Sequence, residues 1–200
     1  MTDPVEYEGE LALINTTSAS GSFIPQLSKP GRTVITATKN ELEMNYARFG
    51  RYFAKAIGGL PEADLDNDDQ VSLLESFLYA GSEVAKFYEG ERRIATEHAL
   101  LDDNGDKMGS RSEWYEGTTP TQTPSKDLEP DGERASQKVL VKNEFERLLT
   151  PQQRLQRDEL ERQVKQLRRK RDSLEEQDYY DQLEPLLIQL ARLYDQANDS

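Results

Sequence analysis

The chain has 200 residues, 35% of them apolar and 32% charged, against roughly 45–50% apolar in an average globular domain, so a modest core flanked by solvated helices is expected. A net charge of −13 repels phosphate backbones and argues against general nucleic-acid binding, while it suits cations. Cysteine is absent, which excludes disulfides, thiolate metal sites and a cysteine nucleophile, and the lack of a long apolar run or leader pattern predicts a soluble chain without membrane contact.

Residues 1–10 are acidic and unpatterned, and are expected to be disordered. Leu11–Ile14 and Thr33–Thr38 read as two buried strands, with a loop and a short helix around Phe23–Ser28 between them. Strand, crossover and strand at this spacing predict a parallel α/β sheet. Helical patterning begins near Glu41, with Tyr46, Phe49, Phe53 and Ile57 at three- and four-residue steps up to Gly58-Gly59. A second helix is predicted over about 72–88, with a continuous helical stretch carried on over 76–101. Two parallel strands do not make a stable sheet. Further strands, from a partner or an upstream segment, are therefore expected.

Residues 117–137 hold Pro120, Pro124 and Pro130 among small and polar residues and read as a flexible, disordered linker between units at 11–116 and 138–200. Beyond it, Leu140–Leu174 has a helical pattern that restarts at Thr150-Pro151, Thr150 as N-cap and Pro151 at the first helical position. A second helix over about 178–196 carries Leu183, Leu186, Leu187, Leu190 and Leu193, with Pro185 expected to kink it or delay its start. Together they predict a C-terminal α-helical hairpin that docks a protein partner or a second copy through its leucine stripes. Two heptads are too few for an extended coiled coil.

The segment Thr16-Thr17-Ser18-Ala19-Ser20-Gly21-Ser22 follows the first strand directly, where α/β sheets usually place ligands. It resembles the nucleophile loop of caspase–hemoglobinase-fold cysteine peptidases, the legumain-like group above all, in which a strand runs into Ala-Cys-Glu-Ser-Gly-Ser. Ser20, Gly21 and Ser22 match that motif, and Val34-Ile35-Thr36-Ala37-Thr38 with Asn45-Tyr46-Ala47 resembles the family's next strand and its Ser-Tyr-Ala. The resemblance spans about a quarter of the chain, Leu11–Ile57, and implies a partial caspase-like sheet. It also places Ser18 at the nucleophilic cysteine position. The family's catalytic histidine precedes that strand within a His-Gly turn, and this chain has no histidine there. Its single histidine, His98, lies far downstream without that context. A serine hydroxyl is a much weaker acid than a thiol, its alkoxide being far more basic, and needs a placed base. The resemblance therefore implies an inactive relative, or a fragment, of a legumain-like peptidase with a binding or structural role.

A separate pattern suits calcium. In Asp64–Glu75 the residues Asp64, Asp66, Asp68, Gln70 (through its carbonyl), Ser72 and Glu75 occupy positions 1, 3, 5, 7, 9 and 12 of an EF-hand loop, with Val71 at the packing position 8. Asp69 stands where glycine is usual. The alternative is an acidic turn in which Ser72 and Glu75 form a helix capping box. Asp102, Asn104, Asp106 and Glu113 repeat the register more weakly, with Lys107 at position 6 and Gly109 at position 8. Arg168–Arg171 reads as a solvated basic run or an anion site, Trp114-Tyr115 and Tyr179-Tyr180 as packing anchors or partner contacts, and Asn15-Thr16-Thr17 as a sequon too close to a buried strand for use.

Overall fold

A computed structural model describes residues 11–198, and the expectation for residues 1–10 lies outside them. The chain divides into two compact units, one ending at Val141 and one beginning at Lys142.

In the first unit, β1 (Leu11–Asn15) pairs in parallel with β2 (Arg32–Thr36), Leu11 opposite Arg32 and Asn15 opposite Thr36. The short helix α1 (Ile24–Leu27) lies in the connection, as the sequence predicts. Every residue of β2 is buried, which explains its uninterrupted β-branched run. The α2 helix (Phe49–Ile57) starts later than its pattern suggests. Tyr46 is 74% exposed, and the chain before Phe49 is irregular. A two-residue strand, β3 (Val71–Ser72), then leads into α3 (Leu73–Gly90), whose N-cap is Ser72.

The sheet is mixed rather than all-parallel. Strand β4 (Leu100–Asp102) runs antiparallel to β2, and β5 (Ser110–Arg111) antiparallel to β4, giving the order β1-β2-β4-β5. The helix expected to continue to Leu101 ends at Gly90, where Arg92 takes a left-handed turn at φ +52°. From there the burial period changes from helical to two, with Glu97, Ala99 and Leu101 inward. The turn-rich stretch 103–109 closes a hairpin, which needs no crossover. Phe49 sits at the centre of the core, its ring 5.6 Å from Phe53 and 6.1 Å from Phe77, and Ile35, Leu73, Leu74 and Leu101 close around this cluster.

The linker expected over 117–137 is corrected. Strands β6 (Tyr115–Glu116) and β7 (Thr119–Pro120) pair around Gly117, and α4 (Glu133–Gln137) packs Ala135 into the core. Val139–Val141, expected at the edge of the helical hairpin, forms β8 and pairs antiparallel with β3. Proline and polar content suggested a loose segment because its fastening comes from elsewhere. Asp103, just after β4, accepts the N–H groups of Gly132 and Ala135 at 2.9 and 2.8 Å.

In the second unit, α5 (Glu144–Leu148) is followed by α6 (Pro151–Arg169) and α7 (Glu176–Asn198). Thr150 caps α6 through a capping box with Gln153, and Pro151 takes the first helical position as expected. Leu160, Val164 and Leu167 of α6 are buried, as are Tyr179 and Leu193 of α7. The α7 helix runs through Pro185. Among the described residues, no helix is long and apolar enough to cross a membrane.

Candidate functional site

The loop after β1 is built by close backbone approach. Ser20 is fully buried, and its Oγ accepts the N–H groups of Ala37 and Thr38 at 3.0 and 3.3 Å. Thr38 Oγ1 in turn accepts the N–H of Gly21 at 3.1 Å. A Cβ on Gly21 would lie 2.1 Å from the carbonyl carbon of Lys39, so only glycine fits. These two residues, which carried the family resemblance, thus splice the ends of β1 and β2 together. Ala19 occupies the left-handed region at φ 56°, and its N–H reaches the Glu43 carbonyl at 2.9 Å.

Ser18 points its proton at a backbone carbonyl. Its Oγ donates to Asn45 O at 2.6 Å, and an amide oxygen is far too weak a base to take that proton. His98 is engaged elsewhere. Its Nδ1 lies 2.5 Å from Glu43 Oε1, and its N–H donates to Glu43 Oε2 at 3.0 Å. Burial pushes the Glu43 carboxyl up, but the Lys39 N–H and His98 outweigh it and leave it below its usual value. His98 lines a cavity of about 520 Å³ together with Phe49, Leu78, Val84, Glu97 and Tyr115, and Ser18 is not among its walls.

In the first acidic loop, the carboxylates of Asp64, Asp66 and Asp68 converge, each offering an oxygen within 4.8 Å of the others. Asp64 also accepts the N–H groups of Asp68 and Asp69, at 3.2 and 3.0 Å, so the chain curls around its carboxylate. Asn67 and Asp69, at positions 4 and 6, are left-handed at φ 59° and 60°. Aspartate tolerates that conformation better than most residues. Gln70 is buried, and its Nε2 donates to Asp68 at 3.0 Å while Oε1 finds no partner.

Glu75 stands apart from this triad. Its Oε2 accepts the Ser72 N–H at 2.8 Å, Ser72 Oγ accepts the Glu75 N–H at 3.2 Å, and Oε1 accepts the Leu65 N–H at 2.8 Å. Glu75 and Ser72 are thus the capping box of α3, and Glu75 also closes the loop onto the helix. In the second loop, Asp102, Asn104 and Asp106 lie together around Gly105, whereas Glu113 is turned to Arg111 at 3.5 Å.

Three acids escaped the sequence reading. Glu97, buried, accepts the N–H groups of Arg48 and Phe49 at 2.7 and 3.0 Å and so caps α2 from the irregular segment before β4; burial raises its carboxyl above the usual range despite these bonds. Asp103 fastens α4, and Asp131 binds back to the Asp103 N–H at 3.0 Å and to Ser110 Oγ at 2.6 Å. None has a local motif. Their neighbours give no signal either: Glu97 stands between Thr96 and His98, Asp103 between Asp102 and Asn104, and Asp131 between Pro130 and Gly132.

These features define a mixed α/β unit with a sealed serine loop and two acidic turns. Compared with family models, with curated proteins and with solved structures, the chain matches none.

Proposed function

We propose that the chain is a non-catalytic relative, or a fragment, of a legumain-like peptidase, with a binding or structural role. The observation that carries this reading is the bond from Ser18 Oγ to the Asn45 carbonyl, with the chain's one imidazole held by Glu43. A nucleophile needs a base within reach and an oxyanion site, and Ser18 has a carbonyl instead. Incubation with Asn- and Asp-directed peptide substrates is expected to give no turnover above buffer, in wild type and Ser18→Ala alike. Turnover that disappears in Ser18→Ala would defeat the reading.

A second reading is favoured by the converging carboxylates of Asp64, Asp66 and Asp68. Hard oxygen donors around a curled backbone suit Ca²⁺, and the loop would serve as a calcium-ordered element of an interaction protein. Asp66 is the residue to test, because it is exposed, whereas Glu75 also caps α3. Asp66→Asn is expected to weaken calcium binding at this loop by at least about tenfold, the loss of one charged ligand being worth over about 1.4 kcal/mol. Calorimetric titration reads this directly, and an unchanged isotherm would remove the loop from consideration.

A further inference from the structure

We propose that Asp102, Asn104 and Asp106 form a second divalent-cation site of calcium type, independent of the loop at 64–75. The acidic spacing alone would not carry this. What points to a ligand is a buried oxygen left over: Asp102 is fully buried, and its Oδ2 has no hydrogen-bond partner. An unpaired buried carboxylate oxygen is costly, and a cation removes the cost. The sister oxygen, Oδ1, accepts the Gly105 N–H at 3.0 Å, which turns the carboxyl group into the loop, where the charge of Asp106 acts on it. Ser28 and the Lys107 N–H approach this carboxyl group too, yet the Lys107 N–H is taken by Ser28 Oγ at 3.0 Å and Oδ2 stays unsatisfied.

The loop around that oxygen is already shaped. Gly105 and Lys107, at positions 4 and 6, are left-handed at φ 85° and 71°, the same two positions that are left-handed in the first loop. A Cβ on Gly105 would meet the backbone of Pro30 and Lys29 at 2.6 and 2.8 Å, so the turn is pressed against a fixed wall. Asn104 Oδ1 accepts the Asp106 N–H at 2.8 Å, and its Nδ2 donates to the Glu129 carbonyl at 2.9 Å. Asp106 Oδ1 accepts the Met108 N–H at 2.7 Å. Each of these side-chain oxygens keeps a second lone pair. Two carboxylates and an amide oxygen, with waters completing the shell, make a hard-oxygen set of net charge about −2. Glu113, half-exposed beside Arg111, is not part of the set.

Calcium titration of wild type, Asp106→Asn, Asp102→Asn and Asp66→Asn tests this. Asp106→Asn is expected to bind one ion fewer than wild type, or to lose that ion's binding by at least tenfold, with its circular dichroism unchanged. Asp66→Asn is expected to keep this ion, so failure of the first loop and failure of this one are read separately. Should Asp102→Asn not fold, the half-buried Asp106 carries the test. Lys107→Gly, which removes a cation and a left-handed side chain from the turn, is expected to tighten binding severalfold, an effect that a purely structural turn would not give. Asp106→Asn binding as many ions as wild type, as tightly, would overturn the proposal.

Discussion

Lowering the pH from about 7.5 to about 5 in calcium-free buffer is expected to stabilise the α/β unit rather than weaken it, because a buried acid that holds its proton when folded favours the folded state at lower pH. Asp131 is 1% exposed, and burial, with the charges of Asp103 and Asp102, pushes its carboxyl up to about 7 from 3.8. Between those two values the unfolded chain has released the proton and the folded chain keeps it. Stability therefore falls as pH rises from about 4 to about 7, by up to about 4 kcal/mol for this one group. Burial also raises Asp103 and Glu97, with the same sign, whereas Glu43 is lowered and loses its contribution only as pH falls through the acid range. Asp131→Asn keeps an oxygen for the Asp103 N–H and gains an amide for Ser110 Oγ. Denaturant unfolding across pH is expected to show the acid gain cut by at least half in this variant. A profile identical to wild type would refute the assignment to Asp131.

Arg157→Met is expected to cost the helical unit about 3 kcal/mol or more, since removing one partner leaves a buried charge behind. Arg157 and Glu146 are 4% and 2% exposed, and Arg157 Nη1 lies 2.5 Å from Glu146 Oε2. Burial alone would lower the guanidinium pKa, but Glu161, Asp158 and Glu146 outweigh it and raise it further. Arg154 meets the other Glu146 oxygen at 3.0 Å from a half-buried position, and it softens the loss without replacing a fully desolvated partner. A unit of about 60 residues holds roughly 3–9 kcal/mol in all, so the single change removes much of it. Adding Glu146→Gln is expected to restore most of the loss, because the orphaned charge is gone. Thermal unfolding followed by circular dichroism measures both, and a double variant as unstable as Arg157→Met would argue for lost packing instead.

What the chain discloses locally, it discloses well. The β-branched run of β2, the Ser72 cap of α3 and the Thr150-Pro151 start of α6 each rest on residues a few positions apart, and each forms where the spacing places it. Long-range fastenings are another matter. The N-terminus of α2 is held by Glu97, and the segment around Asp131 by Asp103, with 48 and 29 positions between Phe49 and Glu97 and between Gly132 and Asp103. No periodicity carries such bonds, so α2 was expected too early and 117–137 too loose. Strand β4, at the end of a stretch expected to stay helical over 76–101, is hidden for a related reason: Leu73–Gly90 is so strongly helical that its pattern masks the change of period beyond it.

The candidate sites divide in the same way. The convergence of Asp64, Asp66 and Asp68 is legible because alternate residues of a tight turn share a side. That Glu75 spends both oxygens on Ser72 and Leu65 is not, since one pattern serves calcium loop and capping box equally. The position of Ser18 could be read, but its tether to Asn45, 27 residues on, could not.

Reaction of the intact chain with a fluorophosphonate, followed by mass spectrometry of its peptides, tests most directly the proposal that Ser18 is not a nucleophile. Such a reagent labels a serine only when a base activates it. The expected result is no adduct on the peptide carrying Ser18 at any pH at which the chain stays folded. A stoichiometric adduct on Ser18, abolished by His98→Ala, would mean that the hydroxyl leaves Asn45 for the imidazole and that this serine is a working nucleophile.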